Sequence, residues 1–142
     1  MSRDVTRHLT SRAPRVSLRL DFAAGRLGPG KIALLEAIGR EGSLAGAARA
    51  LDMSYKRAWD LVGELDTLFV EPVVISTPGR NTGGGTALTA FGARVVALYR
   101  AAERRATAAA DAAMQELAAA TRLSARAAAR PAPARRSPRR RA

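Results

Sequence analysis

Apolar side chains recur along residues 16–69 with two different periods. Val16, Leu18, Leu20 and Phe22 alternate with Ser17, Arg19 and Asp21, a step of two that predicts a strand with one buried face. A glycine-bearing break over residues 25–30 follows, and then Ile32, Leu35 and Ile38 recur at helical spacing and predict a first helix. Gly42 has the position of a helix-ending glycine. Ser43 offers an oxygen to cap a short second helix over residues 44–51, with Ala47, Ala48 and Leu51 inward. After Asp52 and Met53, Ser54 is the next cap. A third helix runs to about Phe69 and buries Ala58, Leu61, Val62, Leu65, Leu68 and Phe69. Trp59 is read as a core or helix-packing residue rather than a base-stacking platform, because large aromatics at helix interior positions are more often packed. Val73, Val74 and Ile75 form a short β-rich run, and Ala87 and Leu88 return as its partner across a turn rich in Gly, Asn and Pro. Thr89 then caps a long Ala-rich helix.

The third helix leaves Tyr55, Lys56, Arg57 and Asp60 off its apolar stripe, near its start. A helix with polar and cationic side chains at its amino end suits the second helix of a helix-turn-helix, where Lys or Arg reaches guanine and Ser or Tyr reaches phosphates or bases. The positive helix end favours phosphate further. A hairpin directly after that helix has the position of a wing, whose glycines let backbone approach the phosphates. The predicted fold is mainly α with a small β-hairpin wing: a winged helix-turn-helix followed by a long Ala-rich helix. Residues 1–15 form a basic arm, 16–88 the winged domain, 89–121 the long helix and 122–142 an Arg/Pro/Ala-rich tail. The tail has no apolar periodicity to offset ordering entropy and is expected to be disordered. In the long helix Phe91, Val95, Leu98 and Ala102, continuing through Ala109 and Ala113, recur at steps of three and four, a seam for pairing with a second copy or for packing on the same subunit.

Charge sharpens this picture. The net formal charge is +12, yet residues 21–121 carry eleven basic and eleven acidic side chains, which cancel. The excess lies in residues 1–20, with five Arg and one Asp, and in residues 122–142, with eight Arg and no acid. Basic arms of this kind bind phosphate backbones and add affinity without sequence information.

Other chemistry is sparse. With no cysteine there is no disulfide or thiolate site, and the single histidine, His8, has no partner set for a triad or a metal. No catalytic residue, metal or cofactor is expected. Gly25 to Lys31 matches the G-x4-G-K spacing of a phosphate-binding loop, but Ile32 stands where a magnesium-holding Ser or Thr is required. The amino-terminal stretch has no apolar signal region and no run is apolar enough to cross a bilayer, so a cytoplasmic, nucleoid-associated location is expected.

The stretch from Gly42 to Leu65, the Gly83-Gly84-Gly85 wing and the closing Leu88-Thr89-x-x-Gly92 resemble the amino-terminal DNA-binding domain of molybdate-responsive ModE-type transcriptional regulators. The helix-turn-helix also resembles that of the wider LysR-type group. The resemblance covers roughly residues 16–105. It implies a homodimeric winged helix-turn-helix on a two-fold symmetric double-stranded DNA operator, commonly near molybdate-transport genes. By it Ser43, Ser54, Tyr55, Lys56, Arg57 and Asp60 would face the operator, with Arg80, Asn81, Gly83, Gly84 and Gly85 in the wing. Members that sense molybdate hold it in carboxy-terminal oxyanion-binding domains. Here an Ala-rich helix and a basic tail follow the wing, so no direct molybdate site is expected. The competing expectation is an architectural, nucleoid-type DNA binder dominated by its Arg-rich tail.

Overall fold

The structure is a computed structural model and describes residues 13–77 and 85–123. The first helix, α1 (Pro29–Glu41), lies at the centre of the packing. Ile32 and Leu35 face one cluster with Leu27, Leu65, Val73, Val95 and Tyr99. Leu34, Ala37 and Ile38 face a second with Ala47, Ala48, Ala58 and Leu61. A helix that buries two faces must be apolar around most of its girth, as α1 is. In the second cluster the alanines let α1, α2 (Leu44–Ala50) and α3 (Tyr55–Leu68) approach closely.

The turns between these helices follow from local chemistry. Gly42 takes a left-handed φ of 72° and its N–H donates to the Ile38 carbonyl at 3.0 Å, ending α1. Ser43 caps α2, its Oγ accepting from the Gly46 N–H at 3.0 Å. At the end of α2 the Met53 N–H reaches the Ala48 carbonyl at 3.0 Å and the Asp52 N–H the Arg49 carbonyl at 3.2 Å. This pair of bonds needs a left-handed residue between helix and exit, and Asp52 supplies it at φ 56° without being glycine. Ser54 then caps α3 through the Arg57 N–H at 3.0 Å.

Two antiparallel hairpins flank the helices. β3 (Val74–Thr77) pairs with β4 (Gly85–Leu88), with Val74 opposite Leu88 and Thr77 opposite Gly85. Val74 and Leu88 touch both apolar clusters. The other hairpin, β1 (Leu20–Phe22) with β2 (Gly25–Leu27), departs from the expected long strand and open turn. Pairing covers only three residues on each side, and β2 occupies half of the stretch read as a break. Residues 16–19 run without a partner strand, and Leu18 is held instead by its carbonyl, which accepts the Tyr99 hydroxyl proton.

The long helix, α4 (Ala90–Ala119), is capped by Thr89 as expected, its Oγ1 accepting from the Gly92 N–H at 2.9 Å. The same hydroxyl donates to the Pro72 carbonyl at 2.6 Å, and the Thr89 N–H donates to the Val73 carbonyl at 3.0 Å. Gly92 then presses on that carbonyl, where a Cβ would lie 2.0 Å from the Val73 oxygen. The start of α4 is thus fastened to the base of the wing. Further along, Arg100 donates to Glu36 of α1 and, at 2.8 Å, to Glu103. The bond to Glu36 raises the Arg100 pKa above its already high ordinary value, against the opposing effect of burial. The expected tail lies outside the described residues from 124 onward, as do residues 1–12 of the basic arm.

Candidate nucleic-acid interface

The amino end of α3 stands clear of both clusters. Tyr55, Lys56 and Arg57 are exposed while Ala58, Leu61 and Leu65 are buried, so the first turn projects four-atom and longer side chains outward from a well-anchored helix. Lys56 Nζ lies 3.1 Å from Asp60 Oδ2, one turn along the same surface. An exposed i,i+4 pair is worth only about 0.3–0.5 kcal/mol, so Lys56 can exchange Asp60 for a guanine or a phosphate at little cost. Ser54 caps the helix at its positive end. Ser43 lies at the start of α2, half-buried, and its hydroxyl keeps a proton to donate while its oxygen caps the helix.

Placement of the hairpin follows from its root. Val74 and Leu88 pack with both clusters, and the Thr86 N–H donates to the Gly42 carbonyl at 2.8 Å, at the turn between α1 and α2. Arg80, Asn81, Gly83 and Gly84 lie outside the described residues. Gly85 is described, and its lack of a side chain has an internal cause: a Cβ would meet Thr77 Oγ1 at 2.5 Å.

One expectation needs correction. Trp59 is not a packing residue: it is 62% exposed. The phase of α3 is set by Ala58, Leu61 and Leu65, and the residue next to Ala58 lies about 100° around the helix from it. Phase rather than side-chain size decides burial here, and that signal was present in the sequence. Of the seam expected along α4, Val95 is buried in the chain's own core, and Phe91 makes an edge-to-face contact with Phe69 at 5.5 Å between ring centres. Packing on the same subunit takes both residues because α4 lies on α1 and is fastened to Pro72 and Val73, just before β3. Leu98 is exposed and Ala102 half-buried.

The lysine of the G-x4-G-K stretch is engaged inside the fold. Lys31 Nζ donates to the Arg26 carbonyl at 2.7 Å and pairs with Glu64 at 3.0 Å, which joins α1 to α3. Among the described residues no group of acidic or histidine side chains is arranged to hold a metal, and no helix is long and apolar enough to cross a membrane.

No family model matches the chain. It is 47% identical over 89 residues to the molybdenum transport protein ModE of Azotobacter vinelandii, covering 63% of this chain and 33% of that protein. The body of this chain is similar to the amino-terminal part of ModE-type proteins. The molybdenum-pterin-binding protein MopB of Rhodobacter capsulatus is 45% identical over 84 residues, 59% of this chain and 31% of its own. The DNA-binding transcriptional dual regulator ModE of Escherichia coli K12 is 38% identical over 71 residues, half of this chain and 27% of that regulator. This chain therefore spans about a third or less of the curated ModE-type relatives it matches.

Proposed function

We propose that this chain is a ModE-type regulator that reads a DNA operator through the amino end of α3. The observation that carries the reading is the outward display of Tyr55, Lys56 and Arg57 on a helix whose opposite face is locked into two cores. Base edges in the major groove are reached only by side chains that project from a rigid support, and α3 offers one. Similarity to proteins named as a DNA-binding transcriptional dual regulator and as a molybdenum transport protein points the same way, and toward genes for molybdate transport or molybdenum use as targets. The reading is non-enzymatic.

In this proposal the hairpin lays Arg80 and Asn81 along the phosphates, Ser43 donates to one, and two copies joined along α4 through Leu98 and Ala102 place two α3 helices on a palindromic site. A single helix-turn-helix reads few base pairs, so a two-fold dimer is the architecture that supplies specificity. A second reading rests on the eight Arg of residues 122–142: an architectural binder in which the tail dominates and the folded part mainly dimerises.

Binding to genomic fragments at physiological salt separates the two. A shared palindromic site is expected, and Lys56→Ala with Arg57→Ala should erase its preference over shuffled DNA, each base contact being worth about 1–3 kcal/mol. Unchanged discrimination in the double variant would remove α3 from the reading role.

A further inference from the structure

Trp59 is the chain's only tryptophan, and among the described residues α3 leaves it 62% exposed. Tyr55, one turn earlier and 58% exposed, lies on the same side of the helix, so the two positions give α3 an exposed aromatic strip at its amino end. Lys56 and Arg57 border the strip. Gly63, one turn beyond Trp59, is exposed, and a Cβ there would meet nothing within 4 Å. Glycine weakens a helix interior, and nothing among the described residues requires one at this position.

Two large exposed aromatics one helical turn apart call for a covering surface. A surface that accepts both apolar rings and the adjoining cations must carry apolar groups among anions and hydrogen-bond acceptors. The major groove of thymine-bearing DNA has that composition, with C5 methyls, guanine and adenine acceptors and flanking phosphates. A protein partner would have to bury Lys56 and Arg57 with the rings and pay their desolvation.

We propose that Trp59 is a specificity-determining DNA contact, its indole packing on thymine methyl groups in the groove entered by α3, with Tyr55 beside it and Gly63 leaving room for the groove wall. The proposal rests on the DNA-reading function above.

The test uses the full chain, the recovered site, a shuffled duplex, and versions of the site in which single thymines are replaced by uracil, which deletes only the methyl. Wild-type protein should lose about fourfold in affinity at one or two such positions, the value of one buried methyl. Trp59→Ala should bind the site about tenfold more weakly, show no sensitivity to those uracils, and bind shuffled DNA within about twofold of wild type. Trp59→Phe, which keeps a ring, should retain part of the preference. Emission from the single tryptophan should shift to the blue on adding the site. Retained uracil sensitivity in Trp59→Ala would overturn the proposal. So would a blue shift that follows protein concentration without DNA, which would assign the strip to a second copy. If wild-type protein fails to distinguish the site from shuffled DNA, the regulator reading itself falls and this contact with it, before any Trp59 variant is compared.

Discussion

The same substitution, glycine to alanine, should act with opposite sign at two positions of the same fold. At Gly92 a Cβ would lie 2.0 Å from the Val73 carbonyl oxygen and 2.9 Å from its carbon, so α4 must retreat from the segment just before β3 by about an ångström to admit a methyl group. Overpacking of this kind costs about 1–3 kcal/mol. The retreat also strains the Thr89 N–H bond to Val73 and the Thr89 hydroxyl bond to Pro72, worth about 1 kcal/mol each. Alanine recovers about 1 kcal/mol of helix propensity, leaving a net loss of about 2–4 kcal/mol. At Gly63 a methyl group enters open space, so the propensity gain of about 0.5–1 kcal/mol stands alone. Thermal unfolding followed by circular dichroism should lower the midpoint of Gly92→Ala by roughly 10 °C and raise that of Gly63→Ala by a few degrees. A Gly92→Ala midpoint within about 2 °C of wild type would refute the clamp between α4 and the wing root.

Ser54→Ala should lower stability by about 1 kcal/mol in urea unfolding through loss of the cap bond to the Arg57 N–H, and Ser54→Asp should restore most of it. Burial raises the Tyr99 phenol's pKa, with Glu103 adding and Arg100 opposing. The folded state therefore holds that proton more tightly than the unfolded chain. Its contribution is complete below the ordinary tyrosine value of about 10 and is lost as pH rises through the raised folded value. Urea midpoints of wild type should fall above about pH 10, whereas Tyr99→Phe should be less stable by about 1 kcal/mol at neutral pH and flatter in that window. Parallel curves would remove the Tyr99 to Leu18 bond from the account. Deleting residues 122–142 removes eight Arg and should lower the salt-dependence slope of DNA binding by up to about 7, with equal loss on site and shuffled DNA; an unchanged slope would show that the tail does not touch phosphate.

Local patterns in the sequence determined a good part of this protein. Ser43, Ser54 and Thr89 each cap the helix that their position announces, because a cap depends only on the three residues that follow it. The stripe Ala58, Leu61 and Leu65 lies in the core, and Gly42 ends α1 left-handed, since both follow from helical periodicity and backbone freedom. Residues 55–57 on the outer surface follow from the same phase.

Other features were decided only by tertiary structure. Val95 and Phe91 recur at the spacing of a pairing seam, yet the packing of α4 on α1 and on the segment that precedes β3 directs them into the chain's own core. A periodic stripe says that a face is buried and not what buries it. Gly92 reads in sequence as a weak point in a helix, but its reason is the Val73 carbonyl, nineteen positions earlier in the chain. Such close approaches arise from elements distant in sequence, which no local pattern can place.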